Sequence, residues 1–99
     1  MDNLDDLDVA VARTEIASGH LDVNVSDAGV PTIQDGDGRW ETFRPTMSWA
    51  HAAPIIEREH ISTDWDEDAG QWYAQLAHIT ESSPVILVAA MLAYVASRR

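Results

Sequence analysis

The chain has no cysteine and no lysine. Without cysteine there is no disulfide, no thiolate nucleophile and no Cys-ligated zinc, so thiol redox chemistry is excluded. Without lysine, all six basic residues are arginines, set against 17 acidic ones for a formal net charge of -11. Nucleic-acid backbones are held by neutralising several phosphates with Lys or Arg, so direct nucleic-acid binding is not expected. An anionic membrane surface is equally unsuitable. Long apolar runs are lacking too: the most apolar stretch, Val85 to Ala96, spans about 18 Å as a helix against a hydrocarbon core of about 30 Å. The opening Met1-Asp2-Asn3-Leu4-Asp5-Asp6 is acidic where a secretory signal is basic and then apolar, so a cytoplasmic location is expected.

What is present fits one small core. A chain of 99 residues buries roughly 60–68% of its unfolded surface, too little for separate cofactor and substrate modules. No repeat, low-complexity tract or linker interrupts it, and residues 1–99 are read as a single domain. Leu4, Leu7, Val11 and Thr14 recur at helical spacing behind an acidic first turn, predicting a helix over about 4–17 with Asp2 or Asn3 as N-cap and Gly19 as stop. Leu21, Val23 and Val25 then alternate as a strand. Val30 to Gln34 and Arg39 to Phe43 flank Asp35-Gly36-Asp37-Gly38 as a hairpin, in which Pro31 suits an edge strand.

Ser48 offers an N-cap to a helix running to about Glu59, kinked at Pro54. Ile61 to Trp65 and a long strand from Gln71 to Thr80 make a second hairpin around Asp66 to Gly70. Ser82 or Ser83 caps a last helix with Pro84 at its first position and Arg98 and Arg99 at its end. The order is helix, three strands, helix, two strands, helix, an α+β fold with a small antiparallel sheet packed with three helices, like an α-β-α sandwich. Val85, Val88, Leu92 and Val95 make one apolar stripe of the last helix, and Leu87, Met91 and Tyr94 a second. One sheet face covers only one stripe, so the second is expected to seat a second copy as a homodimer interface.

The run Ser48-Trp49-Ala50-His51-Ala52-Ala53-Pro54-Ile55-Ile56-Glu57-Arg58-Glu59 resembles the hallmark of the NinX-like family of small phage proteins, approximately Ser-Thr-Asp-Trp-Ala-x-Gly-Gly-Pro-Ile-Ile-Glu-Arg-Glu. Further agreement lies in Leu7 to Ala12, in Trp72 with Ala74, and from Ser83-Pro84 through Ala90-Met91 to Tyr94-Val95-Ala96-Ser97. Met47 and Ser48 stand where the family has Thr-Asp, Ala52 and Ala53 replace the Gly pair, and the central region is shorter. The layout also resembles related phage α-β-α sandwich domains. The resemblance implies fold and phage origin and carries no chemistry with it.

Chemical motifs are weak. His51, Glu57, Glu59 and His60 lack metal-ligand spacing, with no His-Glu-x-x-His, and read as solvated helix positions. Asp64 to Gly70 opens like a calcium loop, but its glycine comes one residue late and Gln75 stands where the bidentate Glu belongs. No Gly-x-Ser-x-Gly elbow supports a triad. No cofactor or metal is expected, and an enzyme is disfavoured. The four tryptophans, Trp40, Trp49, Trp65 and Trp72, sit where alternation assigns a buried face and read first as core. The sharper use is an aromatic cleft between Trp49 and Trp72, with Ser48 and Arg58 as polar contacts and Pro54 and Glu57 beside them. Arg58 otherwise reads as half of an ion pair. The favoured function is a non-catalytic interaction module acting on a host or phage protein. The alternative is a small-ligand binder or sponge, for instance of a nucleotide signal, with its cleft near Trp49 and Arg58.

Overall fold

The computed structural model describes residues 4–98. The expected caps at Asp2 or Asn3 and the place of Arg99 lie outside the described residues. The chain divides into two compact units, one ending at Arg44 and one beginning at Pro45.

In the first unit, helix α1 (Leu4–Ala17) carries Asp5 and Asp6 in its first turn, where they complement the helix dipole. It buries Leu7, Val11 and Ala12 together with two carboxylates, Asp8 and Glu15, and packs on the first two strands. Gly19 ends it in the left-handed region at φ 92°. There the Gly19 amide donates to Ile16 and that of His20 to Glu15, each at 3.0 Å, the paired closure that only a left-handed residue permits. Strands β1 (Val23–Val25), β2 (Pro31–Gln34) and β3 (Trp40–Thr42) form an antiparallel sheet in that order. Pro31 was expected on an edge, yet β2 is the central strand. Pro31 is its first residue, opposite Val25, where a missing N–H is tolerated, and its carbonyl accepts from Phe43 at 2.9 Å. The hairpin between β2 and β3 is closed by Asp35, whose Oδ1 accepts from the amides of Asp37 at 2.8 Å and Arg39 at 2.9 Å.

In the second unit, helix α2 (Trp49–Glu59) is followed by an antiparallel sheet of β4 (Ser62–Asp66), β5 (Gln71–Leu76) and β6 (Ile79–Ser83), then by helix α3 (Ile86–Ser97). The α+β class holds, with two three-stranded sheets. The long strand expected over Gln71–Thr80 is two strands that fold back at Ala77-His78, with Leu76 opposite Ile79. Helix α3 starts later than expected: Val85 is its N-cap, without a side-chain hydrogen bond, and Ser83 Oγ accepts from the Val85 amide at 3.2 Å.

Helix α3 packs on β5 and β6 and also meets α2 and β4. Leu87, Met91 and Tyr94, expected between two copies, are instead buried inside one chain, as are Val88 and Val95. The second stripe is therefore covered without a partner. The tryptophans correct the expectation the other way. Trp40, Trp49 and Trp65 are exposed and Trp72 is half-buried. Alternation marks a face without saying whether anything covers it: β3 is exposed along its whole length, and α3 meets β4 much less than it meets β5.

Candidate functional site

The family-like run occupies α2. Ser48 precedes it in extended conformation, and its Oγ accepts from the His51 amide at 3.4 Å, the N-cap expected of serine. The helix runs through Pro54 as one element. It ends at His60, a non-glycine residue in the left-handed region (φ 56°, ψ 46°). The amide of His60 donates to Glu57 at 3.3 Å and that of Ile61 to Ile56 at 3.0 Å, satisfying the last carbonyls. Ala52 and Ile55 are buried. Ala50, Ala53, Pro54 and Glu57 are exposed at helical spacing, with Trp49 beside them, so the helix has one packed face and one open face.

The end of the run makes a polar clasp to α3. Arg58 Nε donates to Glu59 Oε2 at 2.9 Å, and Arg58 Nη2 donates to the Tyr94 hydroxyl at 3.2 Å. Arg98 Nη2 donates to Glu59 Oε1 at 2.6 Å. Both guanidinium groups lie over the Tyr94 ring, at 5.8 Å for Arg58 and 5.3 Å for Arg98, within cation–π range. Burial pulls the Glu59 carboxyl upward, but hydrogen bonds and charge from Arg58 and Arg98 outweigh it and hold Glu59 below the usual carboxylate range. Tyr94 is fully buried, and the clasp gives its hydroxyl the partner a buried polar group requires.

The six residues expected to share a cleft thus separate. Ser48 caps the helix, Trp49, Pro54 and Glu57 lie on its open side, and Arg58 turns to Tyr94. Trp49 and Arg58 are nine residues apart on one helix, about 13 Å along its axis, too far to hold one small ligand between them. Trp72 pairs across the strand with Trp65, ring centroids 5.3 Å apart and planes at 56°. Trp49 makes no aromatic contact among the described residues. Two features escaped the sequence reading. Met47 is exposed two residues before Trp49, and Glu59 with Arg98 completes the clasp. Arg98 was legible only as a helix-end charge, because its partner lies on a different helix.

Among the described residues no three His, Asp or Glu side chains gather to hold a metal ion. In the calcium-like run, Asp66 Oδ1 accepts from the amides of Asp68 at 3.0 Å and Ala69 at 3.2 Å, so that carboxylate builds the β4–β5 turn. No helix among the described residues is long and apolar enough to cross a membrane. No curated protein matches the chain. The family model of bacteriophage P22 NinX matches residues 4–98, which takes in both units, the open face of α2 and the clasp. With the motif, the order of elements and that match in agreement, the chain belongs to the phage NinX family.

Proposed function

We propose that this phage accessory protein is a non-catalytic interaction module that grips a basic protein of the host or the phage through the open face of α2. The observation that carries the reading is the exposure of Trp49 (55%) two residues after the still more open Met47 (64%). A large apolar side chain standing out of water on the helix that also exposes Ala53 and Pro54 has no folding role that accounts for its position, and tryptophan is the residue most enriched where binding energy concentrates. The partner's charge follows from the net charge of -11, which steers a basic surface and repels an acidic one. Glu57, on the same face, supplies a polar contact at the rim. Because one family match runs through both units, residues 1–99 are taken to act as one module. A nucleotide-binding alternative draws no support from this face, since Arg58 and Arg98 are engaged with Glu59.

The test is a photo-crosslinking amino acid placed at Trp49, or at the exposed Thr80 as a control, in the chain produced inside phage-infected cells. A discrete adduct with a basic protein is expected from position 49 and not from position 80. The Met47→Ala, Trp49→Ala double variant should bind that protein at least about tenfold more weakly, a loss of about 1.4 kcal/mol. Identical adducts from both positions, or unchanged affinity of the double variant, would refute the reading.

A further inference from the structure

The loop that joins β2 to β3 sets two aspartyl-glycyl steps in succession, Asp35-Gly36 and Asp37-Gly38, with all four residues exposed. Such a step is open to one spontaneous reaction. The glycine amide nitrogen attacks the side-chain carboxyl carbon of the preceding aspartate, forming a C–N bond, and the carboxyl oxygen leaves as water with the amide proton. The five-membered succinimide then takes water up again. Opening at the side-chain carbonyl restores aspartate. Opening at the main-chain carbonyl gives isoaspartate, which carries one more methylene in the backbone and keeps its α-carboxylate as a stub. Glycine permits the attack because no Cβ shields the approach to its nitrogen.

As sequence the two steps are alike; the hydrogen bonds of the loop separate them. Asp35 Oδ1 accepts from the amides of Asp37 at 2.8 Å and Arg39 at 2.9 Å, so two charge-assisted bonds must break before its carboxyl carbon can meet the Gly36 nitrogen. The carboxylate of Asp37 makes no hydrogen bond or ion pair among the described residues. The second step is restrained by one bond between neutral groups, from the Gly38 amide to the Asp35 carbonyl at 3.1 Å. Gly38 stands in the left-handed region at φ 84°, and the nearest heavy atom to where its Cβ would be is the end of the Gln34 side chain at 3.6 Å, which leaves the ring room to close. Hydrogen bonds to a charged group are worth more than those between neutral ones, so the opening that precedes reaction is costlier at Asp35. We propose that Asp37 is a site of spontaneous conversion to isoaspartate, and that Asp35 is protected from the same reaction by the loop it closes. The extra methylene falls inside the ring closed by the Gly38 amide and the Asp35 carbonyl, beside the Gln34–Trp40 pair, so the converted chain loses the turn that sets the register of β3.

The experiment ages the full chain for weeks at mildly acidic pH, where a protonated carboxyl supplies the leaving water, both folded and unfolded in guanidinium chloride. Each sample is digested and the loop peptide is read by electron-transfer fragmentation, which tells isoaspartate from aspartate at each position. In the folded chain isoaspartate is expected to form at least about tenfold faster at Asp37 than at Asp35, a rate ratio equivalent to about 1.36 kcal/mol. In the unfolded chain the two positions should convert at similar rates. Asp37→Glu, which would need a six-membered ring, should remove the signal at that position while the chain stays folded. Equal conversion at both positions of the folded chain, a preference for Asp37 that persists undiminished on unfolding, or no conversion in the folded chain while the unfolded chain converts would overturn the proposal.

Discussion

Glu59 accepts from two arginines at once, and its lowered proton affinity ties it to the pH dependence of folding. A carboxyl whose folded value lies below its unfolded value contributes stability that is fully present above the unfolded value, about 4.3 for glutamate, and is lost as the pH falls through the folded one. Glu59→Gln should cost about 1 kcal/mol at neutral pH, the Arg98 share being screened because that side chain is well exposed. In urea titrations the gap between Glu59→Gln and the unmodified chain should close as the pH falls through and below the glutamate range. A gap that stays constant would mean that Glu59 packs without being held ionised. Tyr94 makes the companion case. Tyr94→Phe removes only the hydroxyl that Arg58 reaches, for a loss of about 1 kcal/mol, whereas Tyr94→Ala empties a fully buried site and should cost about 3–5 kcal/mol. Both are read from chemical denaturation midpoints.

At the scale of elements, the β5–β6 turn is the place where a single substitution should help. Ala77 holds φ 54° in a two-residue connection, a conformation glycine adopts without a side-chain penalty. Ala77→Gly should raise stability by about 1 kcal/mol, less the added flexibility of the unfolded chain, seen as a rise in thermal midpoint. The same turn explains what could be read in advance. Elements bounded by strong local chemistry were legible: α1 over its full length, α2 between Ser48 and His60, and the β4–β5 hairpin around Asp66 to Gly70. Ala77-His78 has no Asn-Gly or Gly-x signature, so the run on either side read as one strand. Apolar stripes were legible on α3 as well, but not what covers them. Met91→Glu, on the stripe once expected to join two copies, is now expected to unfold the chain, with loss of helical circular dichroism, because Met91 is fully buried. In the candidate site, the common helix of Trp49, Pro54 and Glu57 was legible from the serine cap and the helical spacing. The turn of Arg58 away from them depends on Tyr94, 36 residues on, a contact that no local pattern encodes.

Across the whole molecule, 17 acidic residues against six basic ones leave the compact state working against its own repulsion. Raising salt from about 0.01 M to 0.15 M shortens the screening length from about 30 Å to 8 Å and should stabilise the chain by about 1 kcal/mol, several degrees in a thermal scan. A flat response would show that the charges are spaced widely enough not to matter. The same charges have another consequence at the borders of the two sheets. Each three-stranded ladder ends in two outer strands, and three of these four strands carry acids: Glu41 on β3, Asp64 and Asp66 on β4, and Glu81 on β6. Unpaired backbone along such strands is a template for endless addition of further chains, and like charge on every copy is what keeps those chains apart. Near pH 4.4, where the sequence's charges sum to zero, the net repulsion between copies vanishes. Acidification should then take the protein toward thioflavin-positive fibrils as well as toward unfolding, with β4 and its exposed Trp65 among the first segments protected from hydrogen exchange.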